Sequence, residues 1–371
     1  MKHTPLVVMV LTSALSACSS SDGRDDTTQQ TNQTGQPTPQ GCGVKSGFDG
    51  DELCLVPPAA GEGIQIHVGP PSYDADAVAP YVIQAGDENV MCYLVRIPEA
   101  GFYYLRQENH MRSGSHHMLI GIVPDEGQPE GPAMCDSLGM RLGSIPGSQT
   151  PTRTFPSELG PEDAGLARYL PEGGMALFQL HYVNTDTKPK LREAWVNLYR
   201  LDESQVSQRL QSVFLVADIG VSIEPHTREL VTNTFTPSLT ESTRLFGLNA
   251  HMHAHSLSMT VWRVHAGEDQ LVYKSYDWAE PRELTYNSVV QNPPPDDATL
   301  TDGGHSGLLF MEPGDSLRWT CDVDNTLDTA LHFANEAYTA EMCLLAGAYV
   351  SDTAGLFAGG CSGGACFNRL P

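Results

Sequence analysis

Short apolar runs recur along this chain, each bounded by Gly, Pro or polar clusters, and convincing helical periodicity is scarce. Met91–Ile97, Met118–Val123, Leu177–Val183, Ala194–Tyr199 and Leu257–Val264 have the length and β-branched or aromatic content of buried strands. Leu317, Trp319, Cys321 and Val323 alternate with polar partners just after the turn Glu312-Pro313-Gly314-Asp315, the period of a strand with one face buried. Many short strands between frequent turns predict an all-β fold built of antiparallel β-sandwiches. The length suits two domains, and the polar stretch from Leu201 to Gln211 interrupts two strand-rich regions. The expected division is 42–203 and 204–355, with 356–371 as a C-terminal tail.

The first residues read as an export signal. Lys2 supplies the positive end, and Leu6–Leu11 an apolar run too short to span a bilayer. Leu15-Ser16-Ala17-Cys18 resembles the lipobox of bacterial lipoproteins, which implies a signal peptide over 1–18 and a lipidated Cys18. Ser19 lacks the aspartate that commonly retains lipoproteins at the inner membrane, so outer-membrane anchoring is expected. Residues 19–41 hold no aliphatic or aromatic side chain and are expected to form a disordered tether.

Nine cysteines in an exported chain leave eight after Cys18, enough for four disulfides. Cys42 with Cys54 and Cys361 with Cys366 are close enough to pair locally, while spacing leaves Cys92, Cys135, Cys321 and Cys343 open. The net charge of −24 excludes a nucleic-acid partner, because phosphate binding needs basic patches.

The chemistry concentrates in His116-His117-Met118, His251-Met252-His253 and Glu341-Met342-Cys343. Imidazole together with thioether points to copper, since sulfur ligands select Cu(I) and imidazole serves both oxidation states. On a strand His251 and His253 share a face, whereas His255 lies about 13 Å from His251 along a straight strand. Adjacent His116 and His117 can serve one ion only with a bulge, a twist or a strand end. His181, on an apolar strand, taken alone reads as a core residue. A zinc hydrolase is a competing reading, but it gives Met342 no role and lacks a His-Glu-x-x-His motif.

Val90–Pro98, His116-His117-Met118-Leu119, Gln179-Leu180-His181-Tyr182, His251-Met252-His253 and Glu341-Met342-Cys343 occur in the order found in the copper type II ascorbate-dependent monooxygenases. The chain resembles that family, which includes peptidylglycine α-hydroxylating and dopamine β-monooxygenases, over roughly Met91 to Val350. The resemblance implies two tandem jelly-roll-like β-sandwiches with a copper on each side of a solvent-filled cleft. His116, His117 and His181 would hold the electron-transfer copper; His251, His253 and Met342 would hold the copper where oxygen binds and the C–H bond is cleaved. It also implies the disulfides Cys92–Cys135 and Cys321–Cys343.

Some positions depart from that pattern. His255 is an extra imidazole, and Ser256 stands where the family usually has glycine. Peptide-amidating members read a substrate carboxylate through an Arg at the position of Asn249, and through an Asn and a Tyr where Leu344 and Ala346 stand. The expected activity is therefore hydroxylation of a small, neutral organic substrate with O2 and a one-electron donor such as ascorbate, using two coppers per chain. The alternative is a non-catalytic cell-surface protein that binds or senses copper. The membrane enters only through the lipid anchor.

Overall fold

The computed structural model describes residues 42–135, 141–142, 145–290, 307–362 and 365–367, with only the backbone described at 141–142, 360–362 and 365–367. The expected signal peptide, Cys18 and the tether lie outside the described residues. The principal strands are β1 (Gly63–Val68), β2 (Glu88–Arg96), β3 (Phe102–Met111), β4 (Ser115–Pro124), β5 (Leu166–Leu170), β6 (Gly174–Val183) and β7 (Ala194–Leu201). They continue with β8 (Gln208–Asp218), β9 (Thr227–Phe235), β10 (Thr243–His251), β11 (Ser256–His265), β12 (Glu268–Ser275), β13 (Ser316–Asn325) and β14 (Leu344–Val350). Every run read as a strand from its apolar pattern falls in one of these.

One large sheet runs in the order β1-β7-β3-β5-β8-β14-β10 and ends on Glu283–Thr285. Its first part is covered by a five-stranded sheet, Gly131–Ala133, β2, β6, β4 and Arg141–Leu142. Its last part is covered by a four-stranded sheet, β9-β13-β11-β12. The fold is thus of the antiparallel β-sandwich class. The large sheet passes from the first sandwich to the second through a parallel pairing of β5 and β8, Leu166 opposite Gln208.

Strand alternation decides which side chains fill each core. Ala176, Phe178, Leu180 and Tyr182 of β6 point into the first core with Ile64, Ile66 and Val68 of β1 and Val196 and Leu198 of β7. In β13, Leu317, Trp319, Cys321 and Val323 point into the second core, against Val213 and Leu215 of β8 and Leu345 and Tyr349 of β14. Each fully buried large apolar side chain contributes about 1.5–3 kcal/mol. Both cores belong to one compact unit. Where they meet, Leu105, Phe155, Leu166, Leu210, Phe246 and Ala348 form a small apolar cluster. At the same seam Asp163 pairs with Arg244 at 2.9 Å, both buried.

Disulfides join Cys42 to Cys54, Cys92 to Cys135 and Cys321 to Cys343. The last ties β13 to the start of β14, and so links the two sheets of the second sandwich. The Cys361–Cys366 pairing falls where side chains are not described; the backbone places the two residues opposite each other in a hairpin. Three disulfides indicate an exported protein in an oxidising compartment. Among the described residues no helix is long and apolar enough to cross a membrane.

Candidate metal centre

The two histidine sets reach one place because of strand register. In the β4–β6 ladder Leu180 faces Met118 and His181 faces His117, but Tyr182 faces Ser115, so His116 is an extra residue. This irregularity, of the kind the adjacent pair demanded, lets His116 and His117 both approach His181. Leu180 and Met118 point into the first core. His117 and His181 therefore point to the opposite face of the sheet, toward the second sandwich. On the other side, Ala250 and Met252 point into the second core. His251 and His253 alternate away from it, although the β10 ladder ends at His251.

All five rings form one cluster. Ring centroids lie 5.2 Å apart for His116 and His117, 5.0 Å for His117 and His181, and 5.3 Å for His251 and His253. Between the sets, His116 to His251 is 5.2 Å and His117 to His251 is 4.8 Å. Ligand nitrogens of His116, His117 and His251 lie within 4.8 Å of one another. The two sets thus do not face each other across a solvent-filled cleft, as the resemblance implied; all five histidines are buried. The reason is that the outer faces of the sandwiches abut, and polar side chains close the join.

Those closing side chains also orient the rings. The Gln149 amide donates to the Ala250 carbonyl at 2.6 Å, and its oxygen accepts from His251 Nδ1 at 2.8 Å. Glu88 accepts from His181 Nε2 at 2.9 Å and also from the backbone N–H of Ala337. The Ala340 carbonyl accepts from His253 Nδ1 at 3.3 Å. Each acceptor fixes a tautomer, leaving a lone pair on His251 Nε2, His181 Nδ1 and His253 Nε2. Gln149 follows a strict requirement at Gly147, where a Cβ would lie 2.0 Å from the Met118 carbonyl oxygen.

Those three nitrogens, with His116 Nε2 and both nitrogens of His117, are buried without a hydrogen-bond partner. An unpartnered buried polar group costs about 1–3 kcal/mol, and metal coordination would offset it. His116, His117, His251 and His253 are also held neutral, the form that binds metal. Burial and then the neighbouring His181 and His253 push the pKa of His116 down to about 2. Burial and His181 bring His253 to about 4. His117 and His251 lie well below the ordinary imidazole value, again chiefly through burial. The donor set fits a transition metal, and imidazole alone suits zinc, copper, iron or nickel.

Glu341 brings the backbone of Met342 beside that of His253. One oxygen of Glu341 accepts from the N–H of His253 at 3.2 Å, the N–H of Met342 at 3.0 Å and the hydroxyl of Ser256 at 3.0 Å. His251 pairs with Leu344 at the end of the β10–β14 ladder, and His253 and Met342 each lie two residues beyond that pair. Ser256 thus adds a donor to the carboxylate that holds the backbones of His253 and Met342. Burial raises Glu341 to about 7. His255 turns away, its Nε2 at 2.9 Å from the Tyr338 carbonyl oxygen.

Asn249 lies on the same face of β10 as His251, with Ala346 opposite it and Leu344 opposite His251. Sequence reasoning missed Glu88, Gln149 and Trp278, whose ring lies 5.3 Å from that of His116. No local pattern marks them; Gln149 is 102 residues from the histidine it orients.

No protein-family model matches the chain, and no curated protein matches it in sequence. Among solved structures it is similar to the major capsid protein P2 from bacteriophage PM2, at 9% identity and a TM-score of 0.32, over 78% of this chain and 97% of that one. A likeness at that level carries no inference about function.

Proposed function

We propose that the chain is a copper-dependent monooxygenase, lipid-anchored at the outer membrane, that hydroxylates a C–H bond of a small organic substrate with O2 and a one-electron donor such as ascorbate. The observation that carries this reading is the buried cluster of five imidazoles, whose partnerless nitrogens converge from two sandwiches. His116, His117 and His181 would hold one copper; His251, His253 and Met342 would hold the second, where the thioether favours Cu(I). Bound copper supplies one-electron transfer and the activation of O2.

The protein's own part is positional. Gln149, Glu88 and the Ala340 carbonyl hold three rings by the nitrogen that does not bind metal, which fixes their direction. Glu341 keeps His253 and Met342 side by side. The Cys321–Cys343 crosslink next to Met342 anchors its backbone to the facing sheet. Burial keeps bulk water from the rings.

Burial of all five rings favours a second reading, a cell-surface protein that binds or senses copper without turnover. Oxygen consumption by the reduced, copper-loaded protein separates the two. Uptake that rises with an organic substrate, with one 18O atom entering the product, is the expected result. Tight copper binding without substrate-dependent uptake would support the second reading.

A further inference from the structure

Among the described residues, His116, His117 and His251 have ligand nitrogens that all lie within 4.8 Å of one another, two from the first sandwich and one from the second. Their ring centroids form a near-equilateral triangle, with sides of 5.2, 5.2 and 4.8 Å. All three are buried, and His116 Nε2, His251 Nε2 and both nitrogens of His117 have no hydrogen-bond partner. This set cuts across the division by sandwich, which groups His116 and His117 with His181.

We propose that these three histidines bind one divalent transition-metal ion across the seam, and that this is the site filled when a chain holds a single ion. Reach decides the grouping. Gln149 takes Nδ1 of His251, so that ring offers Nε2, the nitrogen farther from its own backbone. Glu88 takes Nε2 of His181, so His181 offers only Nδ1, the nitrogen close to its Cβ. The far nitrogen of His251 therefore reaches the His116–His117 pair more readily than the near nitrogen of His181. Nitrogens bound about 2.0–2.1 Å from one ion lie roughly 3.3 Å apart in tetrahedral geometry, so small ring rotations close the site. Three imidazoles suit zinc, copper, nickel or cobalt and leave calcium and magnesium poorly matched.

Such an ion ties the start of β4 to the end of β10, strands of different sandwiches. Binding only the closed arrangement, it stabilises that arrangement by mass action. His251 belongs both to this set and to the set with His253 and Met342, so one ion per chain and two ions per chain use it differently. The mixed set rests on the imidazole cluster alone; neither copper nor turnover enters it.

The test is titration of the full mature chain, metal-free, with Co(II), whose visible absorption reports binding. A first equivalent should bind saturably. His117→Ala and His251→Ala should each weaken it at least about a hundredfold, since losing a mere orienting partner already costs about 10–100-fold. His181→Ala should weaken it less than His251→Ala does. His255→Ala, whose ring turns to the Tyr338 carbonyl, should leave it unchanged. In the unaltered protein, binding should slow amide hydrogen exchange both around Ser115–Met118 and around Asn249–Met252. Slowing in only one sandwich, a first equivalent of undiminished affinity in folded His117→Ala or His251→Ala, an equal or larger loss in His181→Ala than in His251→Ala, or no saturable binding would each overturn the proposal. The exchange measurement needs no variant, and so decides the matter if the variants do not fold. Because Co(II) replaces copper, failure of the monooxygenase reading leaves these outcomes untouched, and failure here leaves the two separate copper sets standing.

Discussion

Gln149 and His251 meet across the seam between the two sandwiches, the amide oxygen 2.8 Å from Nδ1. With its amide nitrogen on the Ala250 carbonyl, Gln149 cannot present a donor to the ring without turning over. His251 is therefore a protonated-Nδ1 tautomer with Nε2 directed at the other imidazoles. Gln149→Leu removes this orientation, and copper affinity should fall about 10–100-fold. Competition against a chromophoric chelator measures it. Unchanged affinity in a folded variant would mean that His251 does not bind metal through Nε2.

The seam itself rests on a buried ion pair. Asp163 pairs with Arg244 at 2.9 Å and accepts from Asn287 at 2.9 Å and from the Gly160 N–H at 2.8 Å. Asp163→Ala leaves the Arg244 charge buried and uncompensated, and should cost about 3–5 kcal/mol in urea unfolding. A loss below about 1 kcal/mol, the scale of an exposed pair, would show that solvent reaches the seam.

The Cys321–Cys343 bond closes a loop of 22 residues. Replacing both cysteines with alanine should lower stability by about 3 kcal/mol. Because Cys343 follows Met342, the same variant should weaken Cu(I) binding more than Cu(II) binding. Equal weakening of both would detach the crosslink from the thioether.

Acidification should destabilise the metal-free protein. His116 and His253 titrate in the folded state near 2 and 4, against an ordinary value of 6.5, and His117 and His251 are also depressed. The unfolded chain takes up these protons first. The contribution of the rings is therefore complete above pH 6.5 and declines as pH falls toward their folded values. Glu341 has the opposite sign: raised from 4.5 to about 7, it favours folding below 4.5 and ceases to do so as pH rises through 7. Four rings outweigh one carboxylate, so the unfolding midpoint should drop between pH 6.5 and 4. Bound copper should reduce that drop; a flat profile without metal would contradict the burial of the rings.

What could be read from sequence divides along physical lines. Strands were legible because one-sided burial leaves an alternating pattern, as in Leu317, Trp319, Cys321 and Val323, and because turns need Gly and Pro. The need for an irregularity at His116-His117 followed from the two-residue period alone. That all five rings form one cluster was not legible, because it depends on how two outer faces abut, which no local pattern encodes. Nor could spacing reveal that Ser256 serves Glu341.

The central claim, a copper centre of imidazoles and one thioether, is tested most directly by X-ray absorption of the reduced, copper-loaded protein and its Met342→Ala variant. The expected result is imidazole nitrogen scattering with one sulfur component that disappears in Met342→Ala and persists in His181→Ala. Retention of zinc in place of copper, or a spectrum without sulfur in the unaltered protein, would contradict it.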